Sequence, residues 1–136
     1  MILGLGADLC DIRRIEASLL RFGDRLTHRL FSADERARAE RRPNTRAASY
    51  AKRFAAKEAC AKALGTGIRD GILMSDLRVV NTQSGQPEMH LHGAALARLH
   101  AMVPPGHAPR IALSLTDEYP YAFAQVIISA EPLAAD

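Results

Sequence analysis

Apolar positions along the chain follow two rhythms, and each predicts a type of element. Residues Met1 to Leu9 carry apolar Ile2, Leu3 and Leu5 and read as a strand. Gly4 and Gly6 within it permit close approach of another backbone. From Asp11 the period lengthens. Ile12, Ile15, Leu19, Leu20 and Phe22 mark the apolar side of a helix that Asp11 caps, with Arg13, Arg14 and Arg21 on the other side. Gly23 and Asp24 break that helix, and Arg25 to Leu30 forms a further short helical piece. Ser32 precedes Glu35 at capping-box spacing, which predicts a helix from Ala33 to about Arg41. Arg41-Arg42-Pro43-Asn44 is a turn, and Thr45 then caps a long helix from Arg46 through Leu64. Tyr50, Phe54 and Ala61 are its core candidates, and Gly65 and Gly67 supply its stop.

The second half is richer in strands. Leu77, Val79 and Val80 begin one, residues 81–87 make a hairpin loop, and Glu88 to His92 returns with Met89 and Leu91 alternating against His90 and His92. Gly93 to Met102 is rich in alanine and leucine and reads as helix. Two apolar strands follow, Ile111 to Thr116 and Ala122 to Ser129, joined by a polar turn from Asp117 to Pro120. Residues 131–136 read as a frayed tail. With no repeat and no linker, this predicts one α+β domain over 1–136, a small antiparallel sheet packed against a long central helix and shorter helices.

Composition narrows the class. The chain has 136 residues, 48 % hydrophobic and 24 % charged, which suits a soluble globular protein. No apolar run approaches the roughly 18 residues of a membrane span. No basic segment precedes the first apolar run, so the expectation is a cytoplasmic protein with no membrane partner. Cys10, Cys60 and the five histidines form neither a metal pattern nor a disulfide framework, and His90 and His92 face solvent. The net charge of +3 conceals an asymmetry: from Arg13 to Arg53 twelve basic residues stand against five acidic ones. That half favours a polyanionic partner, whether nucleic acid, membrane surface, phosphate-rich cofactor or acidic protein.

Candidate chemistry lies in two stretches. On the long helix Phe54, Glu58, Ala61, Lys62 and Gly65 share one face. Glu58 one turn before Lys62 is either a solvated pair, stabilising by roughly 0.3–0.5 kcal/mol, or a metal ligand beside a phosphate ligand. The first strand opens through Gly4 and Gly6 onto a single acid, Asp8. Leu9 stands where a dinucleotide fingerprint needs its third glycine, and no P-loop occurs.

Together, Gly4-x-Gly6-x-Asp8 and the later Phe54-Ala55-x-Lys57-Glu58-Ala59-x-x-Lys62-Ala63 resemble the two signature motifs of the 4'-phosphopantetheinyl transferase superfamily, in particular its small bacterial holo-acyl-carrier-protein synthase branch. Ser114 to Tyr119 and Tyr121 to Ile128 also resemble that family's final strands, so the resemblance covers almost the whole chain. It implies the 4'-phosphopantetheinyl transferase fold and transfer of the phosphopantetheine arm of coenzyme A to a serine of an apo acyl carrier protein. It places Mg2+ on Asp8 and Glu58. It places the coenzyme on Arg53, Lys57 and Lys62, with Arg53 at the 3'-phosphate end and Lys62 at the pyrophosphate. Arg46 is a further candidate, because some relatives carry adjacent basic residues where this chain has Asn44 and Thr45. Gly65 and Thr66 follow as backbone that could approach a phosphate or the pantetheine arm. Gly85 and Pro87 resemble the segment bordering adenine, and Asp117 lies at the edge of the site. Arg14 and Arg21 would dock the carrier. The branch forms trimers, so a homotrimer with the site between subunits is expected.

The two motifs suit this chemistry. When an alcohol attacks a pyrophosphate, the protein mainly positions and neutralises, and Mg2+ is held by one or two carboxylates with water and phosphate oxygens. The serine's base stays open between a metal-bound water and Glu58 acting through water, with Glu35 a third option. The rival reading is an arginine-rich nucleic-acid-binding module without catalysis. Against it, the chain has no tryptophan, and its three tyrosines and four phenylalanines are not interleaved with the basic residues as a stacking platform requires. No nucleic-acid partner is therefore expected.

Overall fold

Alanines along one long helix bring the rest of the chain in close. The computed structural model describes residues 1–69 and 71–134. Strand β1 (Ile2–Asp11) leads into helices α1 (Ile12–Phe22), α2 (Asp24–Leu30) and α3 (Ala33–Glu40). Helix α4 (Arg46–Ala63) follows, then the hairpin β2 (Leu77–Asn81) and β3 (Pro87–Leu91), helix α5 (Gly93–Met102), and strands β4 (His107–Glu118) and β5 (Tyr121–Pro132). One antiparallel sheet has the order β1-β5-β4, and β2-β3 is a second, two-stranded sheet. The result is the expected α+β architecture.

The larger sheet lies on α4. Along β5, Ala122, Ala124, Val126, Ile128 and Ala130 alternate inward and are all buried. They meet the buried α4 residues Ala51, Ala55, Ala59 and Ala63 in one core. Strand β1 comes closer still. A Cβ at Gly4 would stand 2.0 Å from the Ala63 carbonyl oxygen, and one at Gly6 only 1.8 Å from that of Ala59. These glycines therefore serve backbone-to-backbone packing. Asp8, the next inward position of β1, pairs with Ala124 and is carried toward the C-terminal half of α4.

Helix ends follow the local chemistry. The Asp11 carboxylate accepts from the Arg13 N–H at 3.0 Å, and Ser32 with Glu35 forms the reciprocal capping box. Thr45 departs from its predicted role: its side chain makes no cap bond, and a 3-10 turn, Pro43–Thr45, leads directly into α4. The last two strands run longer than their apolar cores. Strand β4 takes in Pro109, tolerated because β4 is an edge strand. Strand β5 continues to Pro132, and the Leu133 N–H donates to the Gly106 carbonyl at 2.9 Å. The tail predicted to fray from Glu131 is thus paired at its start; residues 135–136 lie outside the described residues. Among the described residues no helix is long and apolar enough to cross a membrane.

Candidate active site

Asp8 and Glu58 line the same cleft, of about 480 Å³, between β1, α1 and α4. Arg14 and Ile15 of α1, Leu26 and Leu30 of α2 and Phe54 of α4 also line it. The glycine-mediated contact of β1 on α4 is what brings the two acids together. Lys62, one turn beyond Glu58, donates to Asp8 Oδ1 at 2.9 Å and to the Ala7 carbonyl at 3.1 Å. Glu58 has no hydrogen-bond or ion-pair partner among the described residues. Partial burial and then the charge of Asp8 push its carboxyl above the ordinary range, with Lys62 offsetting in part. Cys10, also in this cleft, is no nucleophile: burial, then the Asp8 charge, pushes its thiol up to about 11.

No group of three or more His, Cys, Asp or Glu side chains able to hold a metal occurs among the described residues. A two-carboxylate cleft with one oxygen pair unpartnered still fits Mg2+, which takes its remaining ligands from water and phosphate. It does not fit a structural metal, which would need a complete protein ligand set.

A second cleft, of about 510 Å³, opens on a different face of α4, between the end of α3 and the β2–β3 turn. Arg38, Arg41 and Arg42 line it from the α3 side, and Lys52 and Arg53 from α4. Gly85 and Pro87 border it, as expected of the adenine segment, and Asp117 lies there paired with Lys52 at 2.9 Å. Arg53 is buried. Its Nη1 donates to the Ser49 carbonyl at 3.1 Å and hydroxyl at 2.8 Å, and its Nη2 to Asn81 Oδ1 at 2.9 Å. Its Nε has no partner. Burial lowers its pKa, with Glu35 opposing.

Behind that cleft sits a fully buried ion pair, Lys57 Nζ to Glu35 Oε1 at 2.9 Å. Glu35 Oε1 also accepts from the Ser32 N–H at 2.7 Å, and Oε2 from the Val79 N–H at 2.9 Å. Lys57 further donates to the carbonyls of Met74 and Leu77. Burial pushes its ammonium below the ordinary lysine range, with Glu35 opposing.

The structure thus divides the predicted site residues. Asp8, Glu58 and Lys62 meet, with Arg14 beside them. Arg53, Gly85 and Pro87 meet in the other cleft. Lys57 is corrected: its three protons already have acceptors inside the protein, so it pins α4 to α3 and β2 and does not face a coenzyme. Glu35 is corrected as a base, because it is fully buried and both of its oxygens already accept from groups inside the protein. Arg46 lines neither cleft; its Nε donates to both Glu40 oxygens, at 2.6 and 2.9 Å, and its guanidinium lies over the Tyr50 ring. Gly65 and Thr66 line neither cleft and turn back on the end of α4, through the Gly65 N–H to Lys62 carbonyl bond at 2.9 Å and the Thr66 N–H to Ala61 carbonyl bond at 3.3 Å. Arg21 is exposed over the Phe22 ring. Sequence reasoning missed Arg41, Arg42, Lys52 and Asn81 as lining residues; the only signal for the first two was the run of arginines after the capping box.

The comparisons agree in direction. A family model for the 4'-phosphopantetheinyl transferase superfamily matches residues 4–124. A holo-[acyl-carrier-protein] synthase of Caulobacter vibrioides is 64% identical over 132 residues, 97% of this chain and 98% of the relative. Among solved structures, the holo-[acyl-carrier-protein] synthase of Neisseria meningitidis superposes with a TM-score of 0.79 at 33% identity, over 95% of this chain and 99% of the other. That of Bacillus anthracis, in complex with CoA (3',5'-ADP), gives 0.73 at 31% identity, over 94% and 96%.

Proposed function

The chain belongs to the 4'-phosphopantetheinyl transferase superfamily, and from that membership we propose that it transfers the 4'-phosphopantetheine arm of coenzyme A to a serine of apo acyl carrier protein. One observation carries the reading at the level of chemistry: Asp8 and Glu58, far apart in sequence, share a cleft, and Lys62 is paired with Asp8. The serine oxygen attacks the phosphorus on the pantetheine side of the pyrophosphate. The bond from that phosphorus to the bridging oxygen breaks, and adenosine 3',5'-bisphosphate leaves with the electron pair. The serine proton leaves to water in this cleft, beside Glu58. Lys62 needs only a side-chain rotation to turn from Asp8 to a phosphate oxygen as a point charge. Asp8 and Glu58 would hold Mg2+, which when bound spreads the pyrophosphate charge. Arg14, at the mouth of this cleft, and the exposed Arg21 supply the positive face for an acidic carrier.

A homotrimer goes with this reading. The outer face of the larger sheet carries an apolar strip along β1 and the facing part of β5: Leu5 pairs across from Ile127 and Leu9 from Phe123, and Leu5 and Leu9 are 60% and 62% exposed. A monomer gains nothing from such a face, and an interface between copies would cover it. The acid and basic clefts open on different faces of one chain, so a site formed by the acid cleft of one copy and the basic cleft of the next uses both. A cytoplasmic location accompanies a carrier-protein substrate.

The test is chromatographic release of adenosine 3',5'-bisphosphate from coenzyme A with Mg2+, with and without apo carrier. Carrier-dependent release supports transfer. Equal release without carrier means hydrolysis and contradicts the reading.

A further inference from the structure

Glu40 stands where a helix least favours an acid, at the negative end of the α3 dipole. Its carboxylate nonetheless takes three bonds. Arg46 Nε reaches both oxygens, at 2.6 and 2.9 Å, and the Tyr50 hydroxyl donates to Oε2 at 2.6 Å. The Arg46 bond, and after it the Tyr50 hydroxyl, holds the carboxyl below the ordinary range against slight burial. An exposed Arg46–Glu40 pair alone would fix little. Tyr50 supplies the anchor: it is fully buried, its ring 4.7 Å from that of Phe31 and packed with Leu19 and Ala39. These bonds bridge the junction from Arg41 to Thr45, which is otherwise loosely tied. Neither Arg42 nor Thr45 makes a side-chain cap, and inside the junction the Thr45 N–H meets the Arg42 carbonyl only at 3.3 Å. Arg41, Arg42 and Thr45 of this junction line the basic cleft.

Resting on the transferase reading above, we infer that Tyr50 and Glu40 are positioning residues for coenzyme A: their clasp holds the α3–α4 junction in the form that borders the basic cleft. Neither residue lines that cleft. Glu40 turns its charge onto Arg46 and Tyr50, so the cleft's arginines stay free of it. Preorganisation is the physical gain. A junction already ordered by the fold asks no ordering entropy of the ligand, whereas a loosened one draws it from the binding energy. The clasp also lies outside the acid cleft, where the bond to phosphorus breaks. Its loss therefore weakens coenzyme binding and leaves the chemical step alone. Arg46, expected to touch the coenzyme, acts instead through Glu40.

The test measures transfer kinetics for the wild type, Tyr50→Phe, Glu40→Ala and the double variant, varying coenzyme A and apo carrier separately. Calorimetry with adenosine 3',5'-bisphosphate reads binding without turnover. Tyr50→Phe keeps the packed ring and removes only the hydroxyl. It is expected to raise the KM for coenzyme A, and the Kd for the bisphosphate, by about 3- to 10-fold, the scale of one lost charge-assisted hydrogen bond. The kcat and the KM for carrier stay at wild-type values. Glu40→Ala shows the same split, and the double variant is no worse than Glu40→Ala, because both changes break one clasp. Glu40→Gln, which still accepts from the Tyr50 hydroxyl, recovers part of the loss. An unchanged coenzyme KM in Tyr50→Phe and Glu40→Ala, a loss confined to kcat, or fully additive losses in the double variant overturns the assignment. A wild type that modifies no carrier, with variants that bind the bisphosphate more weakly, keeps the positioning role and removes the transferase reading. A wild type that modifies carrier, with variants that match it on coenzyme A, does the reverse.

Discussion

Lys62 Nζ lies 2.9 Å from Asp8 Oδ1, joining the end of α4 to strand β1 across 54 residues of chain. The bond holds the acid cleft together. It also shows that the helix pair Glu58–Lys62, legible as a local ion pair, is not one: Lys62 reaches across to Asp8 and leaves Glu58 without a partner.

That leaves Glu58 strained as an anion. Its folded-state pKa is raised, so the folded protein holds this proton more tightly than the unfolded chain does. Stability therefore falls as pH rises from the ordinary value of 4.5 through the raised one, and ionised Glu58 costs stability at neutral pH. Glu58→Gln is expected to be more stable than the wild type at pH 7 in metal-free urea unfolding, with the gain vanishing below the ordinary pKa. A variant less stable at pH 7 contradicts the sign.

Gly6→Ala tests the contact that sets the acids together. The new Cβ would meet a helix carbonyl at 1.8 Å, and neither backbone is free to yield. The expected cost is about 1–3 kcal/mol or more, several degrees of Tm, with transfer reduced beyond what the lost folded fraction explains. A normal melt would show that β1 does not pack as described.

Lys57→Met removes the ion-pair partner of Glu35 in the core. Breaking one partner of a buried pair costs roughly 3–5 kcal/mol, read from the urea midpoint. A loss below about 1 kcal/mol would mean that the pair is not buried in solution.

The apolar sheet face predicts an interface. On the trimer proposed above, Leu9→Arg puts a charge on this strip and is expected to lower the light-scattering mass toward that of one chain, with the far-UV spectrum kept. A wild type of one chain's mass would contradict the proposed trimer, and a multimer unchanged by the substitution would contradict an interface on this strip.

Local signals were legible because they are local. The capping box at Ser32 and Glu35, the Asp11 cap and the glycine stop after α4 each depend on neighbours in sequence. Gly4 and Gly6 announced a close approach without saying to what. Burial was the hidden quantity. Helical periodicity puts Arg53 and Lys57 on faces of α4, but only the packing of α3 and the β2–β3 hairpin shows that both are enclosed. A lysine with three internal acceptors looks, in sequence, the same as one that awaits a phosphate. Arg46 was obscured similarly, since Glu40 lies in a different helix. Strand β5 outran its apolar core because backbone pairing to β4 continues through Glu131 and Pro132 whatever their side chains. The division of the candidate site into two clefts is a property of the folded chain that no motif encodes.

Intact-mass spectrometry of an apo acyl carrier protein, incubated with coenzyme A, Mg2+ and either wild type, Asp8→Ala or Glu58→Ala, tests the central claim most directly. The wild type is expected to add one phosphopantetheine arm, and a chelator to stop it. Each variant should be slower by about 100-fold or more, the scale of several kcal/mol of lost charge stabilisation, with its fold intact by circular dichroism. Full activity in both folded variants would contradict the account.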